Sequence, residues 1–262
     1  MLILGWKMKR DIIPGYFLEK KLGSGAMGVV VKAKRLEDKL DVAIKIAKPS
    51  NYEAARARFQ RESDVLIRID HPNIVRAYDA GELTEGKVQG MYMVLEYLQG
   101  KTLLDYIAED GELAEDEALE IMRQAAEGLE CIAENGLVHR DIKSENIMIT
   151  EDATVKLMDL GLAKVDDPNE NLTATGDRFG TPGYMSPEAA EDTKSADIIS
   201  DIYSLGCTLY QALTLKLPFN EKNFGKLVRL LMTEDPKPPQ EHRPELSDEI
   251  NALVKFIKNT DP

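Results

Sequence analysis

Short runs of β-forming residues dominate the first hundred positions of this 262-residue chain, and apolar residues at helical spacing dominate the remainder. Val29 to Lys34 and Asp41 to Ile46 are two such runs joined by a polar turn, and Asn73 to Tyr78 and Met91 to Leu98 predict two more strands. Between them, residues 52–69 carry Phe59, Leu66 and Ile69 at helical intervals. After Gln99-Gly100 the period changes. Leu119, Met122, Ala126, Leu129 and Ala133 recur every three or four positions, with Asn135-Gly136 as a helix stop; Ser195 to Thr214, Asn223 to Thr233 and Ile250 to Ile257 predict further helices. The expected class is α+β with two lobes: a β-rich lobe with one main helix over 1–98 and a mainly helical lobe over 99–262, hinged near Glu96 to Gly100.

Composition narrows the function. With 43% hydrophobic and 30% charged residues the chain can bury a substantial core. Its net charge of −13 argues against nucleic-acid binding by phosphate neutralisation and against a basic membrane-surface helix. Cys131 and Cys207 sit in apolar helical patterns, which predicts buried thiols in a reducing compartment. Met1 to Leu4 are apolar, but Trp6, Lys7, Lys9 and Arg10 follow too soon for a signal-peptide core, and nothing approaches the ~18 apolar residues of a membrane span. The expectation is a soluble segment without membrane contact.

Candidate chemistry starts with Gly23-Ser24-Gly25-Ala26-Met27-Gly28, a G-x-G-x-x-G run. Glycines at this spacing let backbone amides approach phosphate oxygens. A strand follows the run, not a helix, which favours a phosphate-covering β-hairpin over a dinucleotide fold. Lys45 ends Val42-Ala43-Ile44-Lys45 and alternates with apolar neighbours. On the next helix Glu62 lies four residues before Leu66, so the two share a face. An inward ammonium needs a carboxylate partner, and Glu62 can supply one while Lys45 clamps the α- and β-phosphates.

The most specific signal is His139-Arg140-Asp141-Ile142-Lys143-Ser144-Glu145-Asn146. With each residue type near ~5% usage, this set at this spacing arises by chance at on the order of one start in a hundred thousand. It resembles the catalytic loop of protein kinases, H-R-D-x-x-x-x-N, and residues 16 to 262 read against that family without a large gap. The resemblance is to bacterial eukaryotic-like serine/threonine kinases and implies a bilobal protein-kinase fold binding ATP and Mg2+. Asp141 would accept the proton of the substrate hydroxyl, Asn146 would offer oxygen to magnesium, and Lys143 matches the lysine that steadies the γ-phosphate in serine/threonine kinases. Asp159-Leu160-Gly161 resembles the D-F-G motif, with Asp159 as second metal ligand and Leu160 in place of Phe.

Further positions share the same resemblance. Gly180 to Glu188 resembles the segment ending in A-P-E, with Ser186 in place of Ala, while Ser144 stands where the catalytic loop commonly has Pro; both look like small changes. Thr181 matches the threonine that bonds the catalytic Asp and lysine, so it belongs to substrate binding. Thr173 and Thr175 lie in the polar stretch before it and match autophosphorylation sites, with Arg140 as the cation that a phosphothreonine would meet. Leu22, Gly23, Gly25, Gly28, Val30, Ala43, Lys45 and Met148 match nucleotide-lining positions, Leu95 the gatekeeper, and Glu96 and Leu98 the hinge groups that bind adenine. Asp201 resembles the helix carboxylate that braces the catalytic loop.

The family usually has an arginine soon after a segment like Asn259 to Pro262, paired with the glutamate at position 188. This sequence stops first, which predicts a fragment of a longer protein with Glu188 unpaired. The implied partners are protein substrates, with self-association for autophosphorylation and no nucleic acid. The implied location is the cytoplasm, either free or as the cytoplasmic domain of a membrane-anchored protein. Two alternatives stay open: a pseudokinase scaffold, kept alive by Leu160 and the early stop, and a kinase for small molecules or lipids, disfavoured by the peptide-docking look of Thr181 to Glu188.

Overall fold

The computed structural model describes residues 2–3, 6–7, 11–25, 28–47, 53–83, 90–160, 182–191 and 197–258. They divide into two compact units. One takes the described residues up to His71 together with Val75–Gln99; the other takes Pro72–Ile74, residues 100–160 and those from 182 onward.

The first unit opens with a two-strand ribbon, β1 (Leu2–Ile3) and β2 (Trp6–Lys7), and is built on a five-stranded antiparallel sheet. Its strands are β3 (Tyr16–Gly25), β4 (Gly28–Arg35), β5 (Asp41–Ala47), β6 (Ala77–Leu83) and β7 (Gly90–Glu96), in the order β3-β4-β5-β7-β6. One helix, α1 (Glu53–Leu66), lies between β5 and β6. Side chains alternate across a strand, and here the two faces differ in kind. Val29, Val31, Ala33, Val42, Ile44, Ile46 and Val94 point one way and join Ile13, Tyr16 and Leu18 in a buried cluster. Full burial of each such aliphatic side chain contributes about 1.5–3 kcal/mol. A slip of one residue would turn the whole set to the wrong face, so this cluster fixes the register.

Two details depart from the sequence reading. The strand expected over Asn73 to Tyr78 begins four residues later, at Ala77. Ile74 and Val75 are buried, but Ile74 forms only an isolated parallel bridge with Leu157. Asn73 is claimed elsewhere: its Nδ2 donates to the Val155 carbonyl at 2.8 Å and to Gln124 Oε1 at 3.1 Å. The β-forming run thus serves as a buried connector. The glycine hairpin forms as expected, with Gly25 paired to Gly28.

The second unit is mainly helical. A small sheet of order β10-β9-β8 uses β8 (Gly100–Thr102), β9 (Ile147–Thr150) and β10 (Val155–Leu157). Helices α2 (Leu103–Asp110), α3 (Glu115–Glu134), α4 (Pro187–Glu191), α5 (Ile198–Thr214), α6 (Phe224–Thr233) and α7 (Asp248–Lys258) make up the rest. The sequence reading missed α2, whose eight residues are too short for a clear period; Thr102 caps it by accepting the Asp105 N–H at 3.1 Å. Asn135 ends α3 and Gly136 takes φ 71°, as the Asn-Gly stop predicts. Asp197 caps α5 by accepting the N–H groups of Ile199 and Ser200. At the other end of α5, Arg243 Nη1 donates to the Leu213 carbonyl, which the helix leaves without a partner of its own, and to Leu113 O. Helix α5 packs against α3 and α7 and is buried along most of its length.

Both cysteines are free thiols, as expected, but only Cys207 is buried; Cys131 is half-buried. Burial pushes the Cys207 thiol up to about 12. Among the described residues no helix is long and apolar enough to cross a membrane.

Gly128 decides how closely α3 meets β10. A Cβ there would sit 2.8 Å from the Asn73 carbonyl oxygen and 3.0 Å from Leu157 Cδ1, and that carbonyl is held by the Leu157 N–H at 2.9 Å. Gly128→Ala gains ~1 kcal/mol of helix propensity but forces backbone apart. A net loss of about 1–2 kcal/mol is expected in denaturant unfolding.

Candidate active site

In the first unit, strand register gathers the nucleotide candidates on one face. Val30 pairs with Lys45, and Ala43 pairs with Leu95. Directly opposed residues project to the same side, so Val30, Ala43, Lys45 and Leu95 lie together, opposite the buried cluster. Lys45 and Ala43 are half-buried, while Leu95 is 8% exposed. On the same face Lys32 Nζ bonds Asp41 Oδ2 at 2.7 Å and lies 4.6 Å from the ring centre of Tyr97. The Lys32 and Lys34 ammonium groups hold the Asp41 carboxyl below its usual range.

The hairpin glycines separate by role. A Cβ on Gly28, at φ 153°, would sit 2.1 Å from the Ile46 carbonyl oxygen, so the third glycine is required by the close approach of β4 to β5. Around Gly23 a Cβ would meet nothing within 4 Å. That clear space beside backbone amides suits a phosphate group. Leu22 is 42% exposed at the end of this strand. The Glu96 N–H donates to the Arg76 carbonyl at 2.8 Å. Glu62 is half-buried on α1, and Leu98 is half-buried beyond β7.

The second unit holds the catalytic-loop residues. Asp201, 1% exposed on α5, accepts the backbone N–H of His139 at 2.7 Å and of Arg140 at 2.8 Å. Arg140 adopts φ 63°, a left-handed conformation that a residue with a Cβ takes only when its surroundings impose it. His139 is fully buried, and its role is one the sequence reading did not assign. Its Nε2 faces the Met158 carbonyl at 2.9 Å, and its Nδ1 faces the Asp141 N–H at 3.3 Å. A carbonyl can only accept, so the proton sits on Nε2, and Nδ1 accepts from Asp141. The ring therefore ties the catalytic loop to the residue preceding Asp159. A buried polar ring after Leu137-Val138 was the available signal.

Asn146, 6% exposed, donates through Nδ2 to the Asp141 carbonyl at 2.7 Å and to Asp141 Oδ2 at 2.8 Å. Both partners can only accept, which assigns the amide nitrogen to that side and turns Oδ1 the other way. Lys143 Nζ lies 3.5 Å from the same Asp141 Oδ2. The Met158 N–H donates to the Asn146 carbonyl at 2.8 Å, bringing Asp159 within one residue of Asn146. Asp159 is itself left-handed, at φ 57°. Two oxygen-bearing side chains thus come from the turn just before β9 and the segment just after β10, a donor set that fits magnesium, which takes one or two carboxylates and completes its shell with phosphate and water. Leu160 is buried at 4% exposure. Met148 is half-buried on β9, opposite Lys156 and Thr102.

The docking-type segment shows one correction. Glu188 is expected unpaired, yet its Oε1 accepts Ser200 Oγ at 2.7 Å, and Ser200 Oγ in turn accepts Ser186 Oγ at 2.9 Å. Gly161, Thr173, Thr175 and Thr181 lie outside the described residues.

Asp201→Asn keeps the shape but turns an amide N–H toward one of two backbone donors. It should cost about 1–3 kcal/mol in unfolding and speed amide exchange at residues 139–140, read by hydrogen-exchange mass spectrometry.

Comparison with known proteins agrees with this geometry. Residues 16–262 match the protein kinase domain. The serine/threonine-protein kinase PknB of Mycolicibacterium smegmatis is 37% identical over 255 residues, covering 94% of this chain and 40% of that protein. PknB of Mycobacterium tuberculosis H37Rv is 37% identical over 246 residues, covering 91% and 38%. A probable serine/threonine-protein kinase of Clostridium perfringens is 34% identical over 249 residues, covering 94% and 36%. The crystal structure of Rad53 1–466 in complex with AMP-PNP superposes with a TM-score of 0.75 at 28% identity, covering 95% of this chain and 61% of that one. The chain thus spans about 40% of the length of the curated relatives it matches. Its fold is the α+β kinase fold expected from the sequence, and the chain belongs to the protein kinase family.

Proposed function

We propose that this chain is the catalytic domain of a serine/threonine protein kinase that transfers the γ-phosphate of ATP, with Mg2+, to hydroxyl groups of proteins. The observation that carries the proposal is the catalytic loop: an Asp141 carboxylate oriented by the Asn146 amide at 2.8 Å, with the Lys143 ammonium at 3.5 Å, on a backbone pinned by Asp201. Phosphoryl transfer asks a protein for positioning and fixed charge more than for covalent chemistry, and this loop offers both.

Asp141 holds the substrate hydroxyl and takes its proton as the oxygen attacks phosphorus. Lys143 places positive charge beside the transferring phosphate. Asn146 Oδ1 and the Asp159 carboxylate are the oxygens that would hold magnesium, which would supply positive charge to offset that of the phosphates. Lys45, backed by Glu62, clamps the α- and β-phosphates. Val30, Ala43, Leu95, Leu22 and Met148 supply apolar surface to adenine, and Glu96 and Leu98 its backbone bonds. Gly23, Gly25 and Gly28 shape the hairpin over the phosphates. Thr181 assists Asp141 and Lys143, and self-association lets one copy phosphorylate Thr173 or Thr175 of another, with Arg140 receiving the phosphate. The lobes divide at 98/99, and the domain works in a bacterial cytoplasm, where ATP and magnesium are at hand.

Incubation with radiolabelled ATP, Mg2+ and a generic protein substrate should label serine and threonine. Asp141→Asn should cut the rate by about 10²–10⁴-fold without loss of fold, and chelation of the metal should stop transfer. Nucleotide binding without transfer would instead favour a scaffold. After incubation with ATP, mass spectrometry should find phosphate on Thr173 or Thr175; an unmodified 162–180 peptide from active enzyme would defeat the autophosphorylation claim.

A further inference from the structure

Ser144 stands where kinases of this kind commonly carry proline, a residue with no hydroxyl. In this chain the serine is fully buried, in the short 3₁₀ turn Ser144–Asn146 between the two loop residues Lys143 and Asn146. Its Oγ lies 3.1 Å from the hydroxyl of Tyr184, which is 4% exposed in the segment that resembles a peptide-docking surface. The Tyr184 hydroxyl donates to Gln211 Oε1 on α5 at 2.5 Å. An amide oxygen only accepts, so the tyrosine proton is spent on Gln211, and Ser144 donates its own to the phenol oxygen. Glu145 Oε2, at 3.3 Å from Ser144 Oγ, is the longer, competing acceptor.

The far end of the relay is fixed independently. Ser204 Oγ donates to the Tyr184 carbonyl at 2.8 Å, and the Ser186–Ser200–Glu188 chain attaches the next turn of the segment to the same helix. Ser200, Ser204 and Gln211 recur at helical spacing, so one face of α5 holds Tyr184, Ser186 and Glu188. Burial holds the Tyr184 phenol up to about 12, so it stays a protonated donor throughout the working pH range.

Resting on the kinase reading above, we infer that Ser144 is a positioning residue: through Tyr184 and Gln211 it locks the register of the catalytic loop to that of the peptide-docking segment, and so sets how tightly a protein substrate is held against Asp141. A buried hydrogen bond of this kind is worth a few-fold in affinity. The effect falls on peptide binding, since the relay runs from Ser144 to Tyr184 in the docking segment and ends on Gln211.

Steady-state kinetics on Ser144→Ala, Tyr184→Phe and the double variant test this, with a serine-containing peptide and ATP varied separately. Each single variant is expected to raise the peptide KM about three- to tenfold and to leave the ATP KM within about twofold. The double variant should be no worse than the poorer single one, because both break the same link. Amide exchange over 182–190 should quicken in Ser144→Ala. An unchanged peptide KM in either single variant, a parallel rise in both KM values, or additive effects in the double variant would overturn the positioning role alone. A wild-type chain that transfers no phosphate would overturn the kinase reading and this role with it.

Discussion

Two backbone N–H groups, those of His139 and Arg140, converge on the carboxylate of Asp201, and the arrangement of the catalytic loop depends on that contact. The carboxylate is 1% exposed, and burying such a charge is costly unless it is bonded on all sides. Two charge-assisted bonds to donors that cannot move independently offset that cost. The loop then has few conformations left, and Arg140 is held left-handed just before Asp141.

From this anchor the remaining groups are placed by short links. The His139 ring joins the loop to Met158, the Asn146 amide grips the Asp141 carboxylate, and the Met158 N–H returns to the Asn146 carbonyl. Each link is a partly buried hydrogen bond, and leaving one partner unmade there costs free energy. Helix α5 does more than brace: Ser200, Ser204 and Gln211 take hold of the segment around Tyr184 and Glu188. The two serines that look like minor departures, Ser144 and Ser186, both use their hydroxyls here.

The first unit solves a different problem with simpler means. A strand has two faces, and the sheet gives one to a dry aliphatic cluster and the other to Val30, Ala43, Lys45 and Leu95. The cluster fixes the register, and the register places those four side chains on one face. Gly28 belongs to the same scheme, since its missing side chain lets β4 reach the β5 backbone.

The sequence by itself determined a β-rich first part and a helical second part, the hairpin, the stop at Asn135-Gly136 and the motif His139 to Asn146. Those signals are local: periodicity, capping residues and a motif too improbable to arise by chance. It misplaced the strand near Asn73, because a β-forming run does not reveal that its asparagine is claimed by Val155 and Gln124, and it missed α2, too short to show a period. Only the tertiary structure decided that His139 ties the loop to Met158, that Glu188 is held by Ser200 and that Ser144 reaches Tyr184. Those partners lie 12 to 40 residues apart in the chain, and such pairings are set by how helices and loops pack, which no local pattern of residues encodes.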